Sequence, residues 1–189
     1  SDGVLGQLYH VRANYLQDWI IDPEFPLVWR LDKNTAGSGA LGDIGAHIID
    51  ASYFLTNNKI LSVSGQLKTF IEERPLPGQY TGLVASGSSG RGKVTVDDTA
   101  FFTANFENGA IGVFEATRFA AGRKNAMSIE INGSNGSIYF NFESMNELQF
   151  HDHTQDAENS GFKRILVTEG SHPYYGAWWP AGHIIGYCG

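Results

Sequence analysis

Short runs of aromatic and β-branched residues, separated by tight turns, fill the second half of this 189-residue chain. Two pairs of such runs flank Asn-Gly at positions 108–109 and Gly-Ser-Asn-Gly at positions 133–136. Strand-like runs on either side of an Asn-Gly turn are typical of a β-hairpin. The pattern therefore predicts two hairpins, Thr99–Glu107 with Ala110–Phe119 and Met127–Asn132 with Ser137–Phe142.

One amphipathic helix is predicted over residues 40–56. Apolar side chains recur there at helical spacing from Ile44 to Leu55, which places them on one stripe. Two asparagines follow at 57–58, and asparagine tolerates the left-handed conformation that ends many helices. This helix is the expected cover of the sheet.

The remaining segments are predicted to add strands around this helix. Further strand-like runs lie at 5–15, 60–71, 146–151 and 162–168, and residues 16–36 are expected to be irregular with a short helical turn. Residues 73–93 contain two prolines and five glycines, which predicts a long mobile loop. The expected fold is one α+β domain over residues 1–189. It has a large, mainly antiparallel open sheet of roughly seven strands with the helix on one face.

Charge and cysteine content exclude several classes of function. The chain carries a net charge of −7, which argues against nucleic-acid binding because phosphate contacts need clustered Lys and Arg. No apolar run reaches the roughly 20 residues that cross a bilayer, so no membrane association is expected. The single cysteine, Cys188, excludes a disulfide framework and a cysteine-based zinc site. A cytoplasmic location is expected.

Two glycine-rich segments match nucleotide-binding patterns only in part. Gly37–Gly42 satisfies Gly-x-Gly-x-x-Gly, but a polar segment precedes it where a buried strand is needed. Gly87–Lys93 satisfies Gly-x-x-x-x-Gly-Lys, but Val94 stands where Ser or Thr would bind magnesium. We therefore predict a tight turn at 37–42 that feeds the helix and lets another backbone or a ligand approach closely, and a flexible surface loop at 87–93.

Asp43, His47 and Asp50 follow one another at helical spacing and share one side of the predicted helix. A carboxylate beside an imidazole orients the ring and stabilises its charged form, an arrangement that suits acid–base catalysis near pH 7. A purely structural Asp43–His47 pair at the helix start is the alternative. A metal site is less favoured because no third ligand is apparent nearby.

Five other histidine and arginine positions are candidates with simpler alternatives. His151 and His153 lie two apart on a strand, where an exposed strand end is favoured over a metal site. His172 and His183 lie in an aromatic tail, where isolated histidines usually form only hydrogen bonds. Arg30 follows a tryptophan, and both a surface ion pair and a stacked arginine that holds an oxygen-rich ligand stay open.

Residues 39–50, Gly-Ala-Leu-Gly-Asp-Ile-Gly-Ala-His-Ile-Ile-Asp, resemble the Gly-x-x-x-Asp-x-x-x-His-x-x-Asp signature of the glucose–fructose oxidoreductase, inositol dehydrogenase and MocA (Gfo/Idh/MocA) family. Residues 3–8 resemble the strand that opens the family's C-terminal domain. Segments 15–19, 26–30 and 172–183 are similar to a branch that oxidises sugars and polyols. These motifs follow the family's order along the whole chain.

The resemblance implies a fold and a chemistry. Family members join a Rossmann domain to a C-terminal α+β domain, whose sheet carries helices on one face and forms subunit contacts through the other. They transfer a hydride between a nicotinamide cofactor and a carbinol carbon. The resemblance assigns His47 to the hydroxyl proton and Asp43 to orienting the substrate. It assigns substrate binding to Arg30, Tyr15, Gln17, His172 and His183.

The same resemblance implies that the Rossmann half is absent and that this chain is a fragment. We therefore expect it to bind no cofactor and no metal, with NAD or NADP serving the full-length family enzyme. Its expected role is the substrate-binding domain of a sugar or polyol dehydrogenase of the inositol dehydrogenase type, inactive alone and homo-oligomeric through the sheet face. Two alternatives stay open. One is a stand-alone small-molecule-binding or assembly module without redox activity, and the other is a half-enzyme completed by a separate cofactor chain.

Overall fold

One principal helix lies on a large sheet in the computed structural model, which describes residues 3–81, 84–177 and 180–184. Short 3₁₀ turns connect some of the elements. The strands and α-helices in chain order are β1 (Leu8–Leu16), α1 (Lys33–Ala36), α2 (Ala46–Thr56), β2 (Ile60–Lys68), β3 (Glu73–Thr81), β4 (Val84–Lys93), β5 (Thr99–Phe106), β6 (Ile111–Thr117), β7 (Ala126–Gly133), β8 (Gly136–Asn141), β9 (Glu147–Asp152) and β10 (Lys163–Leu166).

The main sheet has eight strands in the order β10-β9-β8-β7-β1-β6-β5-β2. Both predicted hairpins are present, as β5–β6 and β7–β8. The first strand, β1, lies in the middle of the sheet, antiparallel to β7 and parallel to β6. The expected α+β class and mainly antiparallel sheet are confirmed, with one more strand in the sheet than the sequence predicted.

Helix α2 closes the core on one face of the sheet. Ile48 on this helix is fully buried, and Ile44, just before it, packs against small alanine side chains of β5 and β6. Burying a side chain of this size contributes about 1.5–3 kcal/mol. The cluster around Ile48 draws on the central strands and includes Val11, Ala13, Ala104, Phe106, Phe114, Ile129 and Ile131.

The opposite face of the sheet is open among the described residues. Side chains alternate along each strand, so the residues next to core residues point to this opposite face. They are exposed and mostly polar, as Arg12 and Thr103 are. Three exposed apolar side chains form one patch on adjacent strands β5 and β6: Phe101, Ile111 and Val113, with 47%, 49% and 53% exposure. We refer to these three residues as the open-face patch.

The start and end of the predicted helix have distinct geometries. Residues Leu41–Gly45 form one turn of π-helix, in which the N–H of Gly45 donates to the carbonyl of Ala40 at 2.9 Å, and α2 follows directly. At the other end, Asn57 adopts a left-handed conformation with φ 51°. The predicted asparagine end is therefore confirmed, and a π-turn of the kind often found at functional sites carries Asp43.

Strands β3 (Glu73–Thr81) and β4 (Val84–Lys93) pair in antiparallel fashion, so the prediction of a long mobile loop at 73–93 was wrong. A two-stranded ribbon has free edges, and Pro75 and Pro77 lie where its register shifts, so neither proline interrupts a regular ladder. The buried guanidinium of Arg74 anchors the ribbon by donating to the carbonyls of Asp22 at 2.8 Å and Phe25 at 3.2 Å. Segment 87–93 belongs to β4, so it is strand and not the predicted flexible loop.

Two smaller expectations concern the N-terminal segments. The first strand begins at Leu8 instead of residue 5, because Gly3–Gly6 forms a turn in which the N–H of Gly6 donates to Gly3 at 2.9 Å. Residues 16–36 are irregular as expected, with a 3₁₀ turn at Trp29–Leu31 and the short α1. Trp178, Trp179 and Cys188 lie outside the described residues. No helix in the described ranges is both long and apolar enough to cross a membrane.

Candidate functional site

A buried arginine holds the exposed carboxylate of Asp43. The Nη2 of Arg118 donates to Oδ2 of Asp43 at 2.7 Å, and the Arg118 side chain is 1% exposed whereas that of Asp43 is 44% exposed. A charge-assisted hydrogen bond from a buried donor fixes the orientation of its acceptor. Among the described residues, Oδ1 of Asp43 has no partner, so that oxygen can accept a hydrogen bond from a ligand. Asp43 pairs with Arg118 and not with His47, so the described residues show neither the structural Asp43–His47 pair nor the imidazole-orienting contact from which acid–base catalysis was predicted.

A second carboxylate, which is buried, lies near this arginine. The N–H groups of Phe70, at 2.6 Å, and of Ile71, at 3.4 Å, donate to Oδ2 of the fully buried Asp98. Burial raises the pKa of Asp98, while those N–H groups and the charges of Arg74 and Arg118 act in the opposite direction. The two arginines and two carboxylates form one charge cluster whose single exposed member is Asp43.

A hydrogen-bonded chain of polar side chains lies beside this cluster. Trp19 donates from Nε1 to Oε1 of Gln17 at 3.0 Å, and Gln17 donates from Nε2 to Oδ1 of Asn125 at 2.9 Å. The hydroxyl of Tyr15 donates to the same Oδ1 at 2.9 Å. At the Trp19 end, the guanidinium of Arg118 lies over the ring at 5.4 Å. The chain therefore connects the end of β1 and the segment after it to the loop that follows β6.

His47 joins this arrangement through Tyr15. The two rings are tilted, with centroids 5.9 Å apart. His47 lies in the first turn of α2 and is exposed, so a ligand can reach its ring. Contacts through Asn125 and Tyr15 thus bring Gln17 and His47 close together, and the catalytic and substrate-binding roles of Tyr15, Gln17, Asp43 and His47 stay predictions.

Three predicted residues do not join this group through any contact among the described residues. The guanidinium of Arg30 stacks over the ring of Trp29 at 4.4 Å, which fits the stacked alternative. His172 accepts at Nδ1 from the N–H of Glu169 at 3.0 Å, and Nδ1 of His183 lies 2.7 Å from the carbonyl of Pro180. The two tail histidines therefore make local turn contacts, and their substrate roles stay predictions.

The glycine turn at 37–42 is held by an aspartate and does not fit a dinucleotide. Asp97 accepts from the N–H of Gly39 at 2.9 Å and from the N–H of Leu41 at 2.7 Å. A Cβ on Gly39 would collide with the Asp97 backbone. The N–H groups that would bind a pyrophosphate therefore already donate to Asp97. The Asp97 backbone is the one that approaches the glycine turn closely.

The described residues contain no group of three or more His, Cys, Asp or Glu side chains that could hold a metal ion. His151 and His153 lie close, with ring centroids 5.0 Å apart, and Nδ1 of His151 is 3.2 Å from the carbonyl of Gly161. Asp50 is exposed on α2. An apolar groove of about 770 Å³ between the end of α2 and β8–β9 contains none of the candidate residues.

Sequence reasoning missed Arg118, Asn125 and Asp97. Each lies at the end of a strand or in the loop after it, 56 to 110 residues from its partners, so no local spacing links them to Asp43, Tyr15 or Leu41. A signal was present in the loop that follows β6, where polar and charged residues directly follow a strand end. That signal marks a loop position suited to function but does not name a partner.

The sequence matches the model of the GFO/IDH/MocA C-terminal domain over residues 1–139. The chain belongs to the Gfo/Idh/MocA oxidoreductase family. This finding confirms the resemblance to this family carried by residues 39–50. In this chain, the Asp43–His47 segment occupies the π-turn and helix start described above.

Levoglucosan dehydrogenase of Pseudarthrobacter phenanthrenivorans is 43% identical over 191 residues, covering 99% of this chain and 48% of that protein. A solved oxidoreductase domain protein from Kribbella flavida is 62% identical with a TM-score of 0.90, covering 98% of this chain and 48% of that one. A levoglucosan dehydrogenase complex with NADH and levoglucosan is 42% identical with a TM-score of 0.86, covering 98% and 47%. The chain therefore spans about half the length of these Gfo/Idh/MocA relatives.

Proposed function

We propose that this chain is the substrate-binding domain of a nicotinamide-dependent dehydrogenase that oxidises a sugar or polyol. The observation that carries the proposal is that Asp43 and His47 are both exposed at the start of α2, with Asp43 fixed by a buried arginine. Support comes from levoglucosan dehydrogenase, which is 42% identical and was solved with NADH and levoglucosan. A polyhydroxy ligand suits a site that is lined with hydrogen-bonding groups in this way.

The chemistry assigned to this chain is the handling of one proton and the orientation of one carbinol. Oxidation of a carbinol requires the loss of its hydroxyl proton, and in this proposal Nδ1 or Nε2 of His47 accepts that proton. Oδ1 of Asp43 accepts a hydrogen bond from a neighbouring hydroxyl and so sets which carbon faces the oxidant. A positioned general base contributes roughly 10²–10⁴-fold to a rate.

The oxidant, a nicotinamide cofactor, would be bound by a domain that is not part of the described residues. The glycine turn at 37–42 is already bound by Asp97, so it offers no dinucleotide site. We expect NADH titrated into this chain to give no saturable energy transfer from its four tryptophans. Saturable transfer would contradict this part of the proposal and favour a chain that is an enzyme by itself.

The proposal includes a cytoplasmic location and a homo-oligomer formed through the open face of the sheet. The open-face patch of Phe101, Ile111 and Val113 supports the second point, because three adjacent apolar side chains in water favour association. An anhydro-sugar or pyranose is preferred to inositol as substrate, because the solved inositol dehydrogenase homolog of Azotobacter vinelandii is only 23% identical and shares the fold alone.

The decisive experiment joins this chain to the nicotinamide-binding domain of levoglucosan dehydrogenase and measures NAD⁺ and NADP⁺ reduction with levoglucosan, glucose and myo-inositol. We expect sugar-dependent reduction, and His47→Ala should lower turnover by roughly 10²-fold or more. His153→Ala, which changes a histidine far from the site, should leave turnover intact. Turnover that survives His47→Ala would remove the proton role, and a properly folded chimera without any sugar-dependent reduction would overturn the proposed function.

A further inference from the structure

The amide of Asn125 is locked in one orientation by its neighbours. Both the Tyr15 hydroxyl and Nε2 of Gln17 donate to its Oδ1, each at 2.9 Å. The Gln17 amide cannot turn round without losing its own bond, because its Oε1 accepts from the indole N–H of Trp19 at 3.0 Å. The indole N–H can only donate, so the direction of every bond in this chain follows from Trp19.

A carboxamide with its oxygen fixed presents its NH₂ group on the other side. Asn125 is exposed, and no described residue accepts from its Nδ2. Tyr15 lies between Asn125 and His47. Its hydroxyl donates to Asn125, and the centroid of its ring lies 5.9 Å from that of the His47 ring. The candidate residues therefore include a fixed hydrogen-bond donor at Asn125, linked through Tyr15 to His47, and a fixed acceptor, Oδ1 of Asp43, held by Arg118.

We propose that Asn125 is a specificity-determining residue that donates from Nδ2 to an acceptor oxygen of the ligand. This inference rests on the proposed function and deepens it. The donor at Asn125 and the acceptor at Asp43 together suit a ligand that offers one hydroxyl as a donor and another oxygen as an acceptor. A substrate that lacks the second oxygen leaves the Nδ2 donor without its partner and binds more weakly.

Asn125→Asp removes the donor. The substitution keeps an oxygen for Tyr15 and Gln17, replaces the NH₂ group with a second acceptor oxygen and adds a negative charge. In the chimera we expect KM for the best sugar to rise by about tenfold, the size of one lost hydrogen bond, with kcat changed far less. Asn141→Asp is the control, because it adds the same charge at the end of β8, at an asparagine whose Oδ1 accepts one bond, from the N–H of Glu143 at 3.0 Å.

Monodeoxy analogues of the substrate identify the oxygen. Removing the oxygen that Asn125 contacts should raise KM for the unmodified chimera by about tenfold and change KM for Asn125→Asp much less, since the bond is already lost. Equal losses for every analogue in both proteins, or an unchanged KM in Asn125→Asp, would overturn the inference while leaving the proposed function in place.

A binding readout on this chain covers the case in which the chimera gives no turnover. In the ¹⁵N-labelled chain, titration with levoglucosan should shift the side-chain NH₂ resonances of Asn125, whereas those of Asn141 stay in place. Saturable shifts elsewhere in the site with an unmoved Asn125 amide would overturn the inference alone. No saturable shift with any sugar would overturn the proposed function and the inference together.

Discussion

The guanidinium of Arg118, with its side chain 1% exposed, donates to a carboxylate oxygen of Asp43 at 2.7 Å although the two residues lie 75 positions apart. The buried charge is compensated from two sides, by Asp43 towards solvent and by Asp98 in the interior. Breaking a buried charge pair leaves an uncompensated ion and costs more than the pair contributes. Arg118 therefore couples the stability of the domain to the orientation of its candidate substrate group.

Asp43→Asn should destabilise the chain by about 1–2 kcal/mol, since Asp43 is half-exposed and Asp98 still faces the arginine. Urea unfolding measures the difference. Glu130→Gln is the control, because it weakens an ion pair with Arg12 in which both side chains are partly exposed. That change should cost no more than about 0.5 kcal/mol. Equal effects of the two substitutions would contradict the special status of Arg118.

Gly39→Ala should destabilise the chain by about 3 kcal/mol or more, because the new Cβ meets the Asp97 backbone, which is buried and cannot give way. The same change should disturb the π-turn that carries Asp43. Thermal and urea unfolding measure the effect. Gly170→Ala, where a Cβ meets nothing within 4 Å, is the matched control and should stay within about 0.5 kcal/mol of the parent. A tolerated Gly39→Ala would show that the close approach is not required.

Asp18 should stabilise the chain at neutral pH and lose that contribution in acid. The Lys124 ammonium at 2.7 Å, with the N–H of Gly122 at 3.0 Å, holds the pKa of Asp18 below its ordinary value of 3.8. A lowered carboxyl pKa gives stability that is complete above the ordinary value and disappears as the pH falls through the lowered one.

The stability difference between the parent chain and Asp18→Asn should therefore be largest near pH 7 and shrink as the pH falls below 3.8. Urea unfolding across that range provides the measurement. In Lys124→Gln, carboxyl NMR should show the Asp18 pKa moving up towards its ordinary value. A stability difference between parent and Asp18→Asn that grows as the pH falls would contradict a lowered pKa for Asp18.

Val113→Lys should turn an oligomer into a monomer. A lysine in the open-face patch would place a charge between Phe101 and Ile111, which a subunit contact would have to bury. Light scattering at micromolar concentration follows the mass. Val63→Lys is the control, since Val63 is 63% exposed but pairs across from Ala104, whose side chain faces the core, and so lies on the other side of the sheet. A parent chain that is already monomeric would refute the oligomer.

The local parts of this fold were predictable from the sequence and the long-range parts were not. Periodicity gave the helix and its asparagine end, and Asn-Gly gave the β5–β6 hairpin. The ribbon at 73–93 was mistaken for a loop because its stability comes from buried Arg74 bonded to carbonyls about 50 residues earlier. The site divides in the same way, because Asp43 and His47 lie on one helical stretch while Arg118 and Asn125 arrive from a distant loop.

The position of β1 between β6 and β7 bears on how the chain folds during synthesis. The strand leaves the ribosome well before its partners, because it pairs only with residues from Ile111 to Gly133. Until that stretch is synthesised, Val11 and Ala13 cannot pack into the core, and Tyr15 cannot donate its hydrogen bond to Asn125. Contacts of such sequence separation slow folding and leave apolar segments exposed to chaperones. Folding of the sheet and assembly of the site should therefore be a single late event.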